Sequence, residues 1–570
     1  MAVKYGWMGT ILRVNLSERR IVKEPLTEDL AHKFVGGRGI NSKILYDETG
    51  PHTKPLGPDN RLIIGAGPVT GTIGPSAARF TVTAKSPLTG ILGDASGGGF
   101  FIPELKFAGY DHIVIQGKAE SPVYLWINDD EVEIRDASHI WGRNTWDIEE
   151  AIRKELGDRN IKTLCIGQAG EHMVRTACTI GTGDRAPGKT GTGAVMGSKN
   201  LKAIAIRGSK SVKVAHPEKY KEIVRKWYEE APQQGFYPTV HKIGTSYLVK
   251  AINESYTLGV RNVQELHLPE EKVGVLYGEN FVPKYGIKSQ SCFACPISCS
   301  EFLLVKEGPY AGEKGRMPEG GSLIGLGPLI GVSDDFPFVL KVTNLCNQYG
   351  LDSGRTAASI SAAMEWFQRG IITREDSDEL ELKWGDQQVI VELLRKIAYR
   401  EGFGDILAEG ALNAAQKIGK GAEKYVLHSK KMPLSTSRRV DSLGSVLAQS
   451  TATRGFDHLR GLPTGNITYL TGEVVEIKGT SYDPLWAKAV QHTRRMNTAS
   501  DMLEICKFNT EWEIFDRDCG VARMAELLAA TTGLDFSEEW LTQATDRVYC
   551  IEKSYNAREG IRREDDSPPR

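Results

Sequence analysis

Three cysteines, Cys292, Cys295 and Cys299, crowd into eight positions as C-x2-C-x3-C, with Pro296 between the second and third. Thiolates so spaced on one turn-forming segment are suited to holding a metal ion or an iron–sulfur cluster. A 4Fe-4S cluster generally takes four thiolates, so one more must arrive from elsewhere; Cys506, in DMLEICKF, is the preferred candidate. Spacing alone leaves zinc open, although a zinc site more often draws on two C-x2-C knuckles, and it leaves simple packing cysteines open too. The nine cysteines of the chain are an odd number. Together with the clustering, this fits ligand work in a reducing compartment better than a disulfide framework. Cys165, Cys178, Cys346, Cys519 and Cys550 stand singly and read as buried small hydrophobes.

Two glycine-rich stretches could meet phosphate. Gly183 to Thr190 spells the P-loop pattern G-x4-G-K-S/T, which cradles phosphate only where a strand leads in and a helix follows. Here Gly191, Gly193 and Gly197 come next. Each glycine costs a helix about 1 kcal/mol relative to alanine, so no stable helix is expected and the nucleotide-hydrolase reading is weak. What survives is Arg185, Lys189 and open backbone amides, a set suited to the phosphate of some ligand. The stretch Gly65 to Gly71 follows strand-like RLII but places its third glycine one position late around Pro68, a weak dinucleotide fingerprint. With Arg79 and the run Asp94 to Gly99 downstream, two glycine–cation loops in one region point to a ligand with more than one phosphate. Tight turns would explain the glycines but not the cations.

At 570 residues the chain suggests about three to four domains. Lys and Arg total 71 against 72 Asp and Glu, a formal charge of -1 that gives no overall pull toward nucleic acid or anionic membrane. No run approaches the length of a spanning helix, and the N-terminal residues alternate like a strand rather than a signal peptide, so a cytoplasmic protein is expected. To about residue 210 short β-branched runs alternate with turn signals: Arg61 to Ile64, Phe80 to Thr83, His112 to Gln116, Val123 to Asn128 and Ala203 to Arg207. From about 216 the texture becomes helical, as in HPEKYKEIVRKWYEEA and DQQVIVELLRKIAYREGFGDILAEGALNAAQKIG. It lapses into a polar, proline-containing segment at 421–445. These shifts predict an α+β protein with a β-sheet-rich domain at 1–210 and mainly α-helical domains at 211–420 and 421–570.

Longer stretches carry a resemblance. GGRGINSKILYDE, GPVTGT, KSPLTG, PELKFAGYDHIVIQGKAE, GTGAVMGSKNLKAIAIRG, SCFACPISC, CNQYGLD, TATRGFDHLRG and YNAREGIRREDD resemble the tungsten-containing aldehyde ferredoxin oxidoreductase family nearly from end to end. The resemblance implies an N-terminal β-sheet-rich cofactor-base domain followed by two mainly α-helical domains. It implies two pyranopterins around one tungsten or molybdenum, a 4Fe-4S cluster close by, and Mg2+ bridging the pterin phosphates. Cys292, Cys295, Cys299 and Cys506 would bind the cluster. Arg79, Gly97, Arg185, Ala186, Gly188 and Lys189 fall at base-domain pterin contacts, which gives the P-loop lookalike a different explanation. Asn347, Leu351 and Asp352, with Asp501 and Ile505, fit paired loops that grip the pterin rings, and Arg454 and Arg460 flank a third contacting segment.

The implied reaction oxidises an aldehyde to a carboxylic acid and passes electrons to a ferredoxin or a small iron–sulfur subunit, in a homo- or hetero-oligomer. His458, in RGFDHLR, aligns with the family's active-site histidine, and an ordinary imidazole pKa near 6.5 suits it to polarise the carbonyl or accept the proton. The sequence departs from the family pattern in four places. Asn347 replaces an Asp, Glu504 stands where a Gly is usual, and Ala95 where Asn is common, so a magnesium bridge would rely on backbone carbonyls or be arranged differently. Pro318-Glu319-Gly320-Gly321 replaces P-E-Y-E, which leaves Glu319 as the second, weaker acid–base candidate. The alternative within the family is a low-potential aromatic acyl-CoA ring reductase; outside it, a P-loop ATPase with a zinc knuckle.

Overall fold

The computed structural model describes residues 3–434, 443–461, 463, 483–510 and 520–568. The first 210 residues form two sheets. In the first, β1 (Thr10–Asn15), β2 (Arg20–Pro25), β3 (Leu62–Gly65), β4 (Phe80–Lys85), β5 (Leu92–Gly97) and β6 (His112–Gln116) lie in the order 2-1-6-3-4-5. In the second, β7 (Val123–Asn128), β8 (Glu131–Asp136), β9 (Lys162–Cys165), β10 (Ile180–Gly181) and β11 (Leu201–Arg207) lie in the order 10-9-11-7-8. The β-branched runs are these strands, and they read as continuous apolar stretches because the central ones are covered on both faces.

Alternation along those strands builds two cores. Leu12, Leu62, Ile64, Ile113 and Ile115 point between the sheets, where Val195, Met196 and Leu201 pack on them. Their neighbours Ile11, Ile63 and Val114 point the other way, onto a core shared with Ile40, Met496, Leu527 and Tyr555. The C-terminal helices Leu485–Leu503, Gly520–Thr532 and Glu538–Arg558 therefore cover the outer face of the first sheet, against helix Gly37–Glu48. A third core gathers the middle helices, including Phe336–Tyr349, Ser353–Gln368 and Gln387–Tyr399. The helical periodicity after 216 is realised in Pro217–Glu230, and the long second stretch is broken at Gly402 and Gly410 into Gln387–Tyr399, Phe403–Leu407 and Ala411–Ile418. A small antiparallel sheet, β12 (Gly286–Gln290), β13 (Ser300–Leu304) and β14 (Lys314–Arg316), brackets the cysteine segment.

One local expectation is overturned. Residues Thr192–Ser198 are helical despite their glycines, and all seven are buried. A Cβ at Gly193 would lie 2.5 Å from the Cys178 carbonyl oxygen, and one at Gly197 only 1.8 Å from that of Gly170. The glycines admit neighbouring backbone, and burial of Val195 and Met196, about 1.5–3 kcal/mol each, outweighs their poor helix propensity.

The single cysteines divide. Cys165, Cys178 and Cys346 are buried as expected, whereas Cys550 is exposed on helix Glu538–Arg558, whose outward face it shares. Cys519 lies outside the described residues, as does 435–442 of the polar segment. No helix among the described residues is long and apolar enough to cross a membrane.

Candidate active site

A cavity of about 440 Å³ opens where the sheet domain meets both helical parts. Cys292, Cys295, Cys299 and Cys506 all line it, so the distant cysteine joins the other three. Ser76, in the loop before β4, ties them together. Its amide donates to Ala294 O at 2.7 Å, its hydroxyl to Cys295 Sγ at 3.0 Å, and its carbonyl accepts from Cys506 N at 3.3 Å. Ala294 and Ser298 take left-handed backbone angles, φ 48° and 52°, which turn the segment tightly enough to present three thiols to one space.

Burial pushes the Cys506 thiol up to about 12, with Arg79 opposing, and raises Cys295 and Cys299 as well. Such thiols ionise when a bound cation offsets the burial. Among the described residues no three His, Cys, Asp or Glu are arranged to hold a single metal ion, which is what a zinc knuckle requires. A cluster interposes its own iron and sulfide, so four thiols sharing a cavity without converging on one point suit it.

The rest of the wall is cationic. Arg79, Arg185, Arg316, Arg355, Lys189, Arg454, Arg460 and Lys507 line it. Buried Arg316 Nε and Arg460 Nε have no acceptor. Burial, with Arg454 and Arg355 nearby, pushes the Lys189 ammonium down to about 7 despite Asp457. Orphaned donors and a depressed lysine are what a wall built for an anionic ligand shows in its absence. The donor set therefore fits a phosphate-bearing cofactor beside an iron–sulfur cluster.

Most of the expected contacts stand on this wall. Gly97, Ala186, Gly188, Asn347, Leu351, Asp352 and Asp501 line the cavity with the cations. Ala95 and Ile505 do not. Ala95 is buried in β5 opposite Val82, and Ile505 is part of the core beneath the first sheet. In the same strand as Ala95, Asp94 O accepts from Arg454 at 2.9 Å. Asp352 caps helix Ser353–Gln368 by accepting from Arg355 N at 2.7 Å and also accepts from Lys189 N at 2.5 Å, joining the glycine loop to the helix. A Cβ at Gly188 would lie 2.3 Å from its carboxylate, which explains that glycine.

Sequence reading missed a buried chain of alternating charges behind the wall. Lys189 pairs with Asp457, Asp457 with Arg454, Arg454 with Asp94, Asp94 with Arg460, Arg460 with Asp501, and Asp501 with Arg38 and Lys507. Arg38 then meets Glu552 with two bonds of 2.7 Å. Burial alone would raise the Asp501 and Asp457 carboxyls, but the cations on either side hold both well below the ordinary range. Its only local signals are charged residues inside otherwise apolar or glycine-rich runs, such as Arg38 in GGRGI.

Glu504 has a left-handed φ of 58° at the end of helix Leu485–Leu503, where glycine would be easier. Its carboxyl accepts from Thr81 Oγ1 at 2.6 Å, has no partner for Oε2, and is raised by burial well above the usual carboxylate range. A Cβ at Gly37 would lie 2.2 Å from Glu504 Oε1, and one at Gly67 only 2.1 Å from Leu503 O. The dinucleotide lookalike thus receives this loop rather than a pyrophosphate.

His458 and Glu319 face the same cavity from opposite parts of the chain. His458 opens the short turn His458–Arg460 and keeps 36% of its side chain exposed, with Nδ1 3.9 Å from Asp457. Glu319 accepts from Arg316 Nη2 at 2.5 Å and from Thr245 Oγ1 at 2.6 Å, while Thr245 Oγ1 accepts from Gly320 N. Burial works to raise its pKa, but Arg316 and Thr245 prevail and hold the carboxyl below its ordinary value.

Sequence profiles described as aldehyde ferredoxin oxidoreductase, N-terminal domain, and as domains 2 and 3 of the same protein match residues 11–208 and 220–570. The tungsten-containing aldehyde ferredoxin oxidoreductase of Pyrococcus furiosus is 37% identical over 576 residues, 99% of this chain and 91% of that protein. The WOR-like subunit of an aliphatic sulfonate oxidoreductase from the same organism is 31% identical over 99% of this chain and 89% of its own. Among solved structures, the active-site complex BamBC of benzoyl coenzyme A reductase with 1,5-dienoyl-CoA matches with a TM-score of 0.88 at 28% identity, over 99% of this chain and 91% of that one. The chain belongs to the aldehyde ferredoxin oxidoreductase family, oxidoreductases with tungsten-containing members.

Proposed function

We propose that this oxidoreductase converts aldehydes to carboxylic acids with a tungsten or molybdenum bis-pyranopterin and a 4Fe-4S cluster. The observation that carries the reading is a single cavity shared by four thiols, a cationic glycine-loop wall and His458. When bound, the metal–pterin group supplies a centre that accepts two electrons and passes them on one at a time. In this reading Cys292, Cys295, Cys299 and Cys506 hold the cluster, and Arg79, Arg185, Lys189, Arg454 and Arg460 hold the pterin phosphates and edges. Asn347, Leu351, Asp352 and Asp501 border the rings. The sheet domain, 1–210, is the base for the cofactor, and 211–420 and 421–570 close over it.

The reaction joins a water oxygen to the aldehyde carbon while two electrons and two protons leave. The His458 imidazole accepts one of those protons. Glu319 stays ionised in the Arg316–Thr245 clamp, so it orients groups and stabilises positive charge rather than donating a proton. Replacing Arg316 with methionine removes the main force that lowers the Glu319 pKa. Burial then raises it, and the acid limb of kcat/KM should move to higher pH, while an unmoved limb would remove Glu319 from the rate-governing ionisations. Cys506→Ser should alter the EPR signal of the reduced cluster; an identical spectrum would assign the fourth ligand elsewhere.

The deciding experiment is elemental analysis of anaerobically purified protein followed by a viologen-coupled assay over aliphatic and aromatic aldehydes. Tungsten or molybdenum, about four iron per chain, and turnover of an aldehyde are expected. Protein with neither metal nor iron would end the proposal. The likeness to BamBC supports a second reading, reduction of an aromatic thioester. Loaded enzyme that ignores every aldehyde but consumes a benzoyl thioester with a strong reductant would select it.

A further inference from the structure

We propose that Arg316, clamped by Glu319, is a positioning residue that sets the reduction potential of the group held by the four thiols, an inference that rests on the cluster reading above. The backbone brings the arginine to them. Strand β14 ends at Arg316, which lies opposite Phe302 of β13, and β13 begins one residue after Cys299. Met317 N donates to Glu301 O at 2.8 Å, so the two chains stay paired past Arg316 in the direction of Cys299. Gly244 closes the other side. A Cβ there would collide with Cys299 O and stand 2.8 Å from Met317 Cε, and the next residue, Thr245, donates to Glu319. The clamp and the third thiol of the segment are therefore built on one packed piece of backbone.

The valences of Arg316 are incomplete. Its side chain is 11% exposed, Nη2 donates to Glu319 Oε1 at 2.5 Å, and buried Nε has no acceptor. Buried donors are nearly always met, so a bound group must offer Nε an acceptor. Two groups compete for that role, the phosphates of the pterin and the sulfur of the cluster. The ionisable neighbours decide between them. Those acting most on Lys189, in the glycine loop, are Asp457, Arg454 and Arg355. Those acting most on Arg316 are Glu319 and the Cys299 and Cys292 thiols. For Arg79 they are the Cys506 and Cys292 thiols. One guanidinium thus accompanies the distant cysteine and another the last cysteine of the segment. Arg79 spends its Nε and Nη2 on Ser96, whereas Arg316 keeps its Nε open.

Reduction of an iron–sulfur cluster adds negative charge to it, and hydrogen bonds to its sulfurs and nearby charge set how easily that happens. A buried cation with a free N–H favours the reduced form and raises the potential, because the surroundings screen it weakly. Glu319, ionised and tied to the same guanidinium, works in the opposite sense. The two halves of the pair should therefore shift the potential with opposite signs.

The test is an EPR-monitored redox titration of loaded, full-length enzyme at one fixed pH, with iron content measured beside it. Arg316→Met should lower the midpoint, changing the oxidised-to-reduced ratio at a given potential by at least threefold. Glu319→Gln, which keeps the side chain's shape, should raise it by a similar factor. Arg316→Lys restores the charge and should recover most of the parental value. Midpoints equal to the parent's in Arg316→Met and Glu319→Gln, or moved in one direction by both as a loosened site would move them, would overturn the inference. Should Arg316→Met lose iron, Glu319→Gln decides alone, and its failure to raise the midpoint counts against the proposal. A parent with no cluster signal would end the reading of the four thiols as well, whereas a normal parental signal with unmoved variants sinks only the role of Arg316.

Discussion

Replacing His458 with alanine should lower viologen-coupled aldehyde turnover by about 10²- to 10⁴-fold, the usual worth of a positioned general base, while tungsten or molybdenum and iron contents stay at parental values. The imidazole projects into the cavity from a turn held by Asp457, which accepts Leu459 N at 3.2 Å, so the backbone geometry does not depend on the ring. Asp457 itself is fixed by Arg454 and Lys189. Truncation at His458 therefore removes a proton acceptor without unbuttoning the wall behind it. Glutamine, of similar length but unable to take the proton, should behave like alanine. Parental turnover in either variant with full cofactor content would take His458 out of the mechanism.

A second large effect is expected from Glu552→Ala. Arg38 is 1% exposed, and its two bonds to Glu552 are joined there by Thr453 Oγ1 at 2.6 Å and Ser42 Oγ at 3.1 Å. Removing the carboxylate takes away the acceptor of two hydroxyls and leaves a buried guanidinium with only the longer Asp501 contact of 3.4 Å and Thr498, a loss of about 3–5 kcal/mol, read as a lower denaturation midpoint together with reduced metal content. The sign of a paired change separates charge from packing. Arg38→Met with Glu552→Leu removes both charges and should recover a large part of the midpoint. If Glu552→Ala unfolds at the parental midpoint, the charge chain does not hold these parts together.

The strands of the sheet domain were legible because their core faces alternate within continuous β-branched runs, and Val123–Asn128 and His112–Gln116 emerge with the expected bounds. Helix Thr192–Ser198 was not, because local propensity counts its glycines as penalties, whereas their lack of a side chain is what lets Cys178 and Gly170 backbone approach. Cys506 could be matched to the other thiols because thiolate number constrains a cluster. The Arg38–Glu552 pair could not, since its partners stand 514 positions apart and no spacing rule reaches that far. Ala95 and Ile505 are motif positions whose side chains turn into packed interior, a burial that the motif alone does not convey.

That wide separation has a consequence for how the enzyme is made. Arg38 is synthesised 514 positions before Glu552, so the pair closes only after the intervening sheet domain and middle helices have left the ribosome.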